Sequence, residues 1–108
     1  MIERLLKYPE AKTLLHGIRS AGVLPDKAET WLDHPADAGD SIFLNEIAQP
    51  TICLYQMLAW EVVRPLLPNP DIFMGYSLGE LSAYGCAGVF NPVEQVRLAT
   101  VRGRLMTD

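Results

Sequence analysis

Between Pro50 and Pro65 the chain carries Ile52, Cys53, Leu54, Tyr55, Met57, Leu58, Trp60, Val62 and Val63, so a helix built from this stretch is apolar on nearly every side. Such a helix is normally buried all round, and the rest of the chain has to supply the elements that surround it. Asn45 and Pro50 precede the run and Pro65 stops it. With 108 residues, 49% of them apolar, the chain can bury roughly 60 to 70% of its unfolded surface, enough for one core of modest size.

Upstream, Leu5, Leu6, Leu14, Leu15 and Ile18, broken at Pro9 and closed by Ala21 and Gly22, suit a short helix followed by a second, amphipathic one. From Leu24 to Asp40 the composition turns to Pro, Asp, Gly and His, with Trp31 and Leu32 as the apolar anchor, which reads as an exposed connection. No repeat or low-complexity tract appears. The chain therefore reads as one domain over 1–108, with 1–44 a helical lead-in and loop and 45–108 the core.

A formal net charge of -4 gives phosphate backbones no electrostatic footprint, so nucleic acid is not expected as a partner. No apolar stretch reaches the roughly 18 to 20 residues of a membrane span, and Met1-Ile2-Glu3-Arg4 lacks the basic-then-apolar order of a secretory signal, which points to the cytoplasm. Cys53 and Cys86 stand 33 positions apart in apolar surroundings, away from the short spacings of metal or redox pairs. They read as buried thiols, and no metal is expected.

Pro68-Asn69-Pro70 forces an extended turn before Ile72-Phe73-Met74, a short apolar run that reads as a buried strand. It runs into Gly75-Tyr76-Ser77-Leu78-Gly79, which fits G-x-S-x-G in the setting that gives the pattern meaning: a strand before it and a helix after it. The two glycines let strand and helix approach the tight turn. At the helix start, the amide of Leu78 has no intrahelical partner and can stabilise an oxyanion beside Ser77. The plainer reading of the same residues is a strand-to-helix turn in which Ser77 is only a capping serine. Leu81 to Ala87 continue as helix that Gly88 can end, and Asn91-Pro92-Val93-Glu94 opens the last helix, which runs towards Met106.

At 100° per residue that last helix places Arg97 and Arg104 on one side and Arg102 nearly opposite, flanked by Leu98 and Leu105. Arg102 then points from a largely apolar face into the protein, where a guanidinium must find an anion. Two partners are open: the carboxylate of a ligand, which its planar fork suits, or an internal acid such as Glu80.

Asn45-Glu46-Ile47-Ala48-Gln49-Pro50, Gly75 through Ala83, Ala87-Gly88-Val89 and Val101 through Met106 together resemble the malonyl-CoA:acyl carrier protein transacylases and the acyltransferase domains of polyketide synthases. The resemblance covers about residues 45 to 108, and 1 to 44 resemble the helical region before it only loosely. It implies that Ser77 is the acylated nucleophile, that the Leu78 amide is half of the oxyanion hole, and that Arg102 grips the free carboxylate of a malonyl group. Gln49 matches a glutamine near the pocket, and Tyr76 occupies the place where the family usually has a histidine. Glu80 matches an acidic residue whose role reads as structural, since an acid in a first helical turn is stabilised by the dipole.

The family's initial strand and Gly-Gln-Gly turn have no counterpart, and no histidine follows Ser77 to act as general base; His16 and His34 precede it in unpromising contexts. The expectation is a mostly helical, N- and C-terminally incomplete piece of an α/β-hydrolase-like subdomain, α/β in class, with one clear strand leading into a nucleophile elbow. The implied reaction moves a malonyl-type group from malonyl-CoA to the phosphopantetheine thiol of an acyl carrier protein through a seryl ester, with coenzyme A entering as substrate and no resident cofactor. The chain alone is expected to be inactive and able to self-associate. A serine esterase or thioesterase, and a non-catalytic helical assembly module, are the rival readings.

Overall fold

In the computed structural model, which describes residues 2–107, the break at Pro9 separates α1 (Ile2–Leu5) from α2 (Pro9–Ser20). Gly22, at φ 69, turns the chain out of α2. Helix α3 (Asp26–Asp33) follows, then 3-10 turns over Pro35–Phe43 kinked at Gly39, then α4 (Asn45–Val63) and a 3-10 turn at Arg64–Leu66. Helices α5 (Leu78–Cys86) and α6 (Pro92–Leu105) complete the chain. No helix among the described residues is long and apolar enough to cross a membrane.

The nearly all-round apolar helix is the hub: every other helical element packs on α4. Leu54 and Leu58 are fully buried and share one cluster with Ala11, Leu15, Ile18 and Val96. That core draws on residues from both sides of position 44. Burial of α4 is nonetheless incomplete, because Ile52 and Val63 stay exposed. The helix also begins earlier than its proline suggests: Pro50 lies buried inside its second turn, where it withholds one amide from the ladder.

Two sequence expectations are corrected here. The stretch read as an exposed connection contains α3, held to α2 by Arg19, whose Nε lies 2.7 Å from Glu29 Oε2 and whose Nη2 donates to both oxygens of Asp33 at 2.9 Å. Asp33, with Glu29, pushes the Arg19 guanidinium above its ordinary range. The second correction concerns class. There is no strand and no sheet among the described residues; the fold is helical, and the expected α/β class with one clear strand is overturned. Ile72-Phe73-Met74 has no regular structure and no ladder partner, and a strand exists only through a neighbour that completes its ladder. Phe73 packs edge-on against Trp60 at 5.3 Å between ring centroids, while Ile72 and Met74 face outward, 74% and 88% exposed.

The end of α5 and the start of α6 follow their residues. Gly88 at φ 84 lets its own amide reach Gly85 O at 3.1 Å and the Val89 amide reach Tyr84 O at 3.0 Å, which satisfies two terminal carbonyls. Asn91 Oδ1 accepts from the Glu94 amide at 2.9 Å and caps α6, with Pro92 at its first position.

Candidate active site at the Ser77 turn

The segment at 72–76 reaches α5 through one strained residue. Ser77 has φ 57 and ψ -120, the only positive φ at a non-glycine residue among those described. What holds it there is local. The Gly79 amide donates to Tyr76 O at 2.9 Å and the Glu80 amide to Ser77 O at 3.0 Å, so the turn is closed by α5's own first turn. Gly75 passes so close beneath that a Cβ on it would lie inside the carbonyl group of Gly79 and 2.7 Å from Glu80 N. The second glycine differs: a Cβ at Gly79 meets nothing within 4 Å. The close approach thus needs Gly75, and Gly79 contributes its backbone.

The Ser77 side chain makes no cap to α5, which removes the capping-serine reading. Its exposed Oγ instead accepts from Arg102 Nη2 at 3.2 Å. Arg102 comes from the last turn of α6, and its Nη1 donates to Gln49 Oε1 at 2.6 Å. Gln49 is buried in the early turns of α4, and its Nε2 lies 3.6 Å from Met106 Sδ. Three elements that sequence places 25 to 53 residues apart therefore converge on one hydroxyl. Met106 is the member that motif reading passes over; its signal is the i, i+4 spacing from Arg102.

The route by which Arg102 gets there differs from the helix-wheel expectation. The face that α6 buries is Gln95, Val96, Ala99, Thr100 and Gly103, with Gly103 close enough to α4 that a Cβ would meet Asn45 O at 2.5 Å. Leu98 and Leu105 are 36% and 77% exposed, so Arg102 stands half-buried at the border of the packed face rather than inside an apolar one. Among the described residues it has no carboxylate partner, and Glu80 is exposed and unpaired with it. Its two acceptors there, a neutral amide and a hydroxyl, bring no negative charge to the guanidinium.

Leu78 begins α5, where its amide has no intrahelical carbonyl to serve, and its side chain packs against the cluster of Cys53, Met57 and Ala99. The Tyr76 side chain is 91% exposed, and only the Tyr76 carbonyl takes part in the turn. His16 and His34 are both exposed, and neither shares a hydrogen bond with Ser77. Cys53 is fully buried and Cys86 half-buried; burial pushes both thiols above their ordinary range. Beneath α5, Ser82 bonds to Gln56, and Gln95 bonds to the Leu81 carbonyl. No group of three or more His, Cys, Asp or Glu that could hold a metal occurs among the described residues.

Open grooves flank the segment that carries Phe73 and Met74. One of about 610 Å³ is lined by Phe73, Met74, Gly75, Glu80 and Ala83 among others. A second of about 410 Å³ runs between Trp60, Phe73, Met74 and Ser82.

Comparison with known proteins gives consistent relatives. The chain is 31% identical over 87 residues to a PKS-NRPS hybrid synthetase of Aspergillus candidus, covering 79% of this chain and 4% of that one. It is 32% identical over 78 residues to the malonyl CoA-acyl carrier protein transacylase of Haemophilus influenzae, which is 72% of this chain and 21% of the relative. The protein of that name from Bacillus subtilis is 42% identical over 62 residues, 56% of this chain and 16% of the relative. The chain thus spans about a fifth or less of the length of these relatives. No protein-family profile matches it, and no solved structure does.

Proposed function

The chain is a relative of the malonyl-CoA:acyl carrier protein transacylases and of polyketide-synthase proteins, and from that premise we propose that it is the nucleophile-bearing part of an acyltransferase acting in the cytoplasm. In this reading Ser77 Oγ attacks the thioester carbonyl of malonyl-CoA, the carbon–sulfur bond breaks, and coenzyme A leaves as its thiol. The phosphopantetheine thiol of an acyl carrier protein then takes the malonyl group from the seryl ester, and Ser77 recovers its hydroxyl. Coenzyme A enters as part of the substrate, and transfer through an ester draws on no metal.

One observation carries the reading: the bond from Arg102 Nη2 to Ser77 Oγ, made by a cation that has no carboxylate partner among the described residues. A guanidinium only donates, so Arg102 is no base for Ser77. Its position beside the hydroxyl suits a substrate that carries a free carboxylate a few bonds from its thioester. When that carboxylate displaces Ser77 from the fork, the hydroxyl is released next to the carbonyl it attacks. The strained Ser77 backbone presents Oγ outward, and the Leu78 amide faces the developing oxyanion as one half of a hole. The proton of Ser77 needs an acceptor that His16 and His34, on the surface and unbonded to it, do not provide. In this reading the base and the second oxyanion donor are groups other than His16 and His34, and the isolated chain is expected to be inactive.

The test is intact-protein mass spectrometry with malonyl-CoA, with and without imidazole as an external base. A malonyl adduct is expected with imidazole and absent from Ser77→Ala. Arg102→Ala is expected to cut malonyl labelling about 10- to 100-fold relative to acetyl labelling, the worth of a charge-assisted bond. An adduct that persists in Ser77→Ala, or equal loss for both acyl groups, defeats the proposal. Release of free malonate without lasting adduct supports a hydrolase instead.

A further inference from the structure

Gln49 is only 6% exposed, so its amide has to find partners inside the protein. It has two. Oε1 accepts from Arg102 Nη1 at 2.6 Å, and Nε2 lies 3.6 Å from Met106 Sδ. Chemistry fixes which end points where. A guanidinium has five donors and no acceptor, so the carbonyl end faces Arg102 and the amino end is left to the thioether, a weak acceptor. Arg102 and Met106 are four residues apart on α6, so one helix face holds both ends of the amide.

We propose that Gln49 is a positioning residue that fixes the plane of the Arg102 guanidinium beside Ser77 while leaving its charge free for a carboxylated ligand. The identity of that ligand rests on the acyltransferase reading above; the positioning does not. A neutral acceptor is what the task requires. A carboxylate at this position holds the fork as well but neutralises it with an ion pair, and an apolar side chain leaves a long, half-buried arginine free to rotate. With Nη1 engaged by Gln49 and Nη2 by Ser77, a carboxylate that replaces the hydroxyl on Nη2 meets a fork already oriented, and the entropy of ordering it is spent before binding.

The experiment is side-chain 15N NMR of the Arg102 guanidinium in the full chain, with sodium malonate and sodium acetate as probes. In the native chain the Nη signals are expected to be separate, because rotation is hindered, and malonate is expected to shift them more than acetate does. Gln49→Met should collapse the signals and weaken malonate binding about tenfold, while Gln49→Glu should keep them separate and abolish the malonate response. A purely structural role would not split the two variants in this way. Separate native-like signals in Gln49→Met, or native malonate affinity in Gln49→Glu, overturn the proposal. Should Gln49→Met lose its native backbone spectrum, Met106→Leu at a half-exposed site carries the test: faster Nη exchange supports the proposal and unchanged exchange refutes it. If malonate leaves the native signals unmoved while Gln49→Met still collapses them, the positioning stands and the acyltransferase reading falls.

Discussion

Alanine at Gly75 is the sharpest test of the Ser77 turn, because the space its methyl group needs is filled by main chain. The new Cβ would overlap the Gly79 carbonyl group and sit 2.7 Å from Glu80 N, and neither can rotate away as a side chain would. Relief requires the first turn of α5 to retreat by about 1 Å or more from Gly75 to regain ordinary contact distances. That movement loosens the two bonds that close the turn, from the Gly79 amide to Tyr76 O and from the Glu80 amide to Ser77 O. Overpacking costs about 1 to 3 kcal/mol and each weakened bond about 1 kcal/mol, so a loss of about 3 to 5 kcal/mol is expected. Against a total stability of about 5 to 15 kcal/mol this is a large share. With a urea slope of about 1.5 kcal/mol per molar, the lower figure alone moves the midpoint down by about 2 M.

Gly79→Ala is the built-in control. No atom lies within 4 Å of its Cβ, and its φ is ordinary for a helix, so alanine there should be neutral or stabilise by up to about 1 kcal/mol. Urea melts of the two variants followed by circular dichroism decide the matter. A Gly75→Ala midpoint within error of the native chain, or equal losses in both variants, refutes the account of why the turn needs its first glycine.

Gly103→Ala places a methyl group 2.5 Å from Asn45 O and 3.0 Å from Glu46 Cα, so α6 must lift from α4; a loss of about 1 to 3 kcal/mol is expected in the same urea assay, and an unchanged midpoint contradicts the close crossing. Asn91→Ala removes the acceptor of the Glu94 amide and should cost about 1 kcal/mol, whereas Asn91→Ser should recover most of it, as read by thermal melts. Burial raises the Cys53 and Cys86 pKa values, so the folded chain holds thiol protons that the unfolded chain gives up near pH 8.5. The stability they contribute is complete below that pH and is lost as pH climbs through the folded values; the urea midpoint should fall over that range, and less so in a double Cys→Ala variant. Equal pH dependence in both proteins removes the thiols as its cause.

Much of the local structure was legible because it rests on residues near one another in the chain. Pro9, Gly22, Gly88 and Asn91 each act through the backbone within a turn of themselves, and each does in the structure what its chemistry requires. The segment at 72–74 was not legible, because a short continuous apolar run reads as a buried strand while the ladder depends on a neighbour no local pattern contains. Helix α3 was hidden by its loop-like composition; its anchors to α2 pair Arg19 with acids 10 and 14 residues away.

The sequence by itself determined the break at Pro9, the helix ends at Gly22 and Gly88 and the start at Asn91, that α4 must lie at the centre, and that a serine would stand at a turn between glycines, since sterics and hydrophobic periodicity act over a few residues. Only the tertiary structure decided that Ser77 takes a strained backbone angle and gives its Oγ to Arg102 instead of to its own helix. It also decided that Arg102 lies at the edge of the packed face, oriented by Gln49 from another helix. Those outcomes depend on the crossing of α4 and α6, which is set by side-chain volumes and by the absent Cβ of Gly103 rather than by any pattern within either helix.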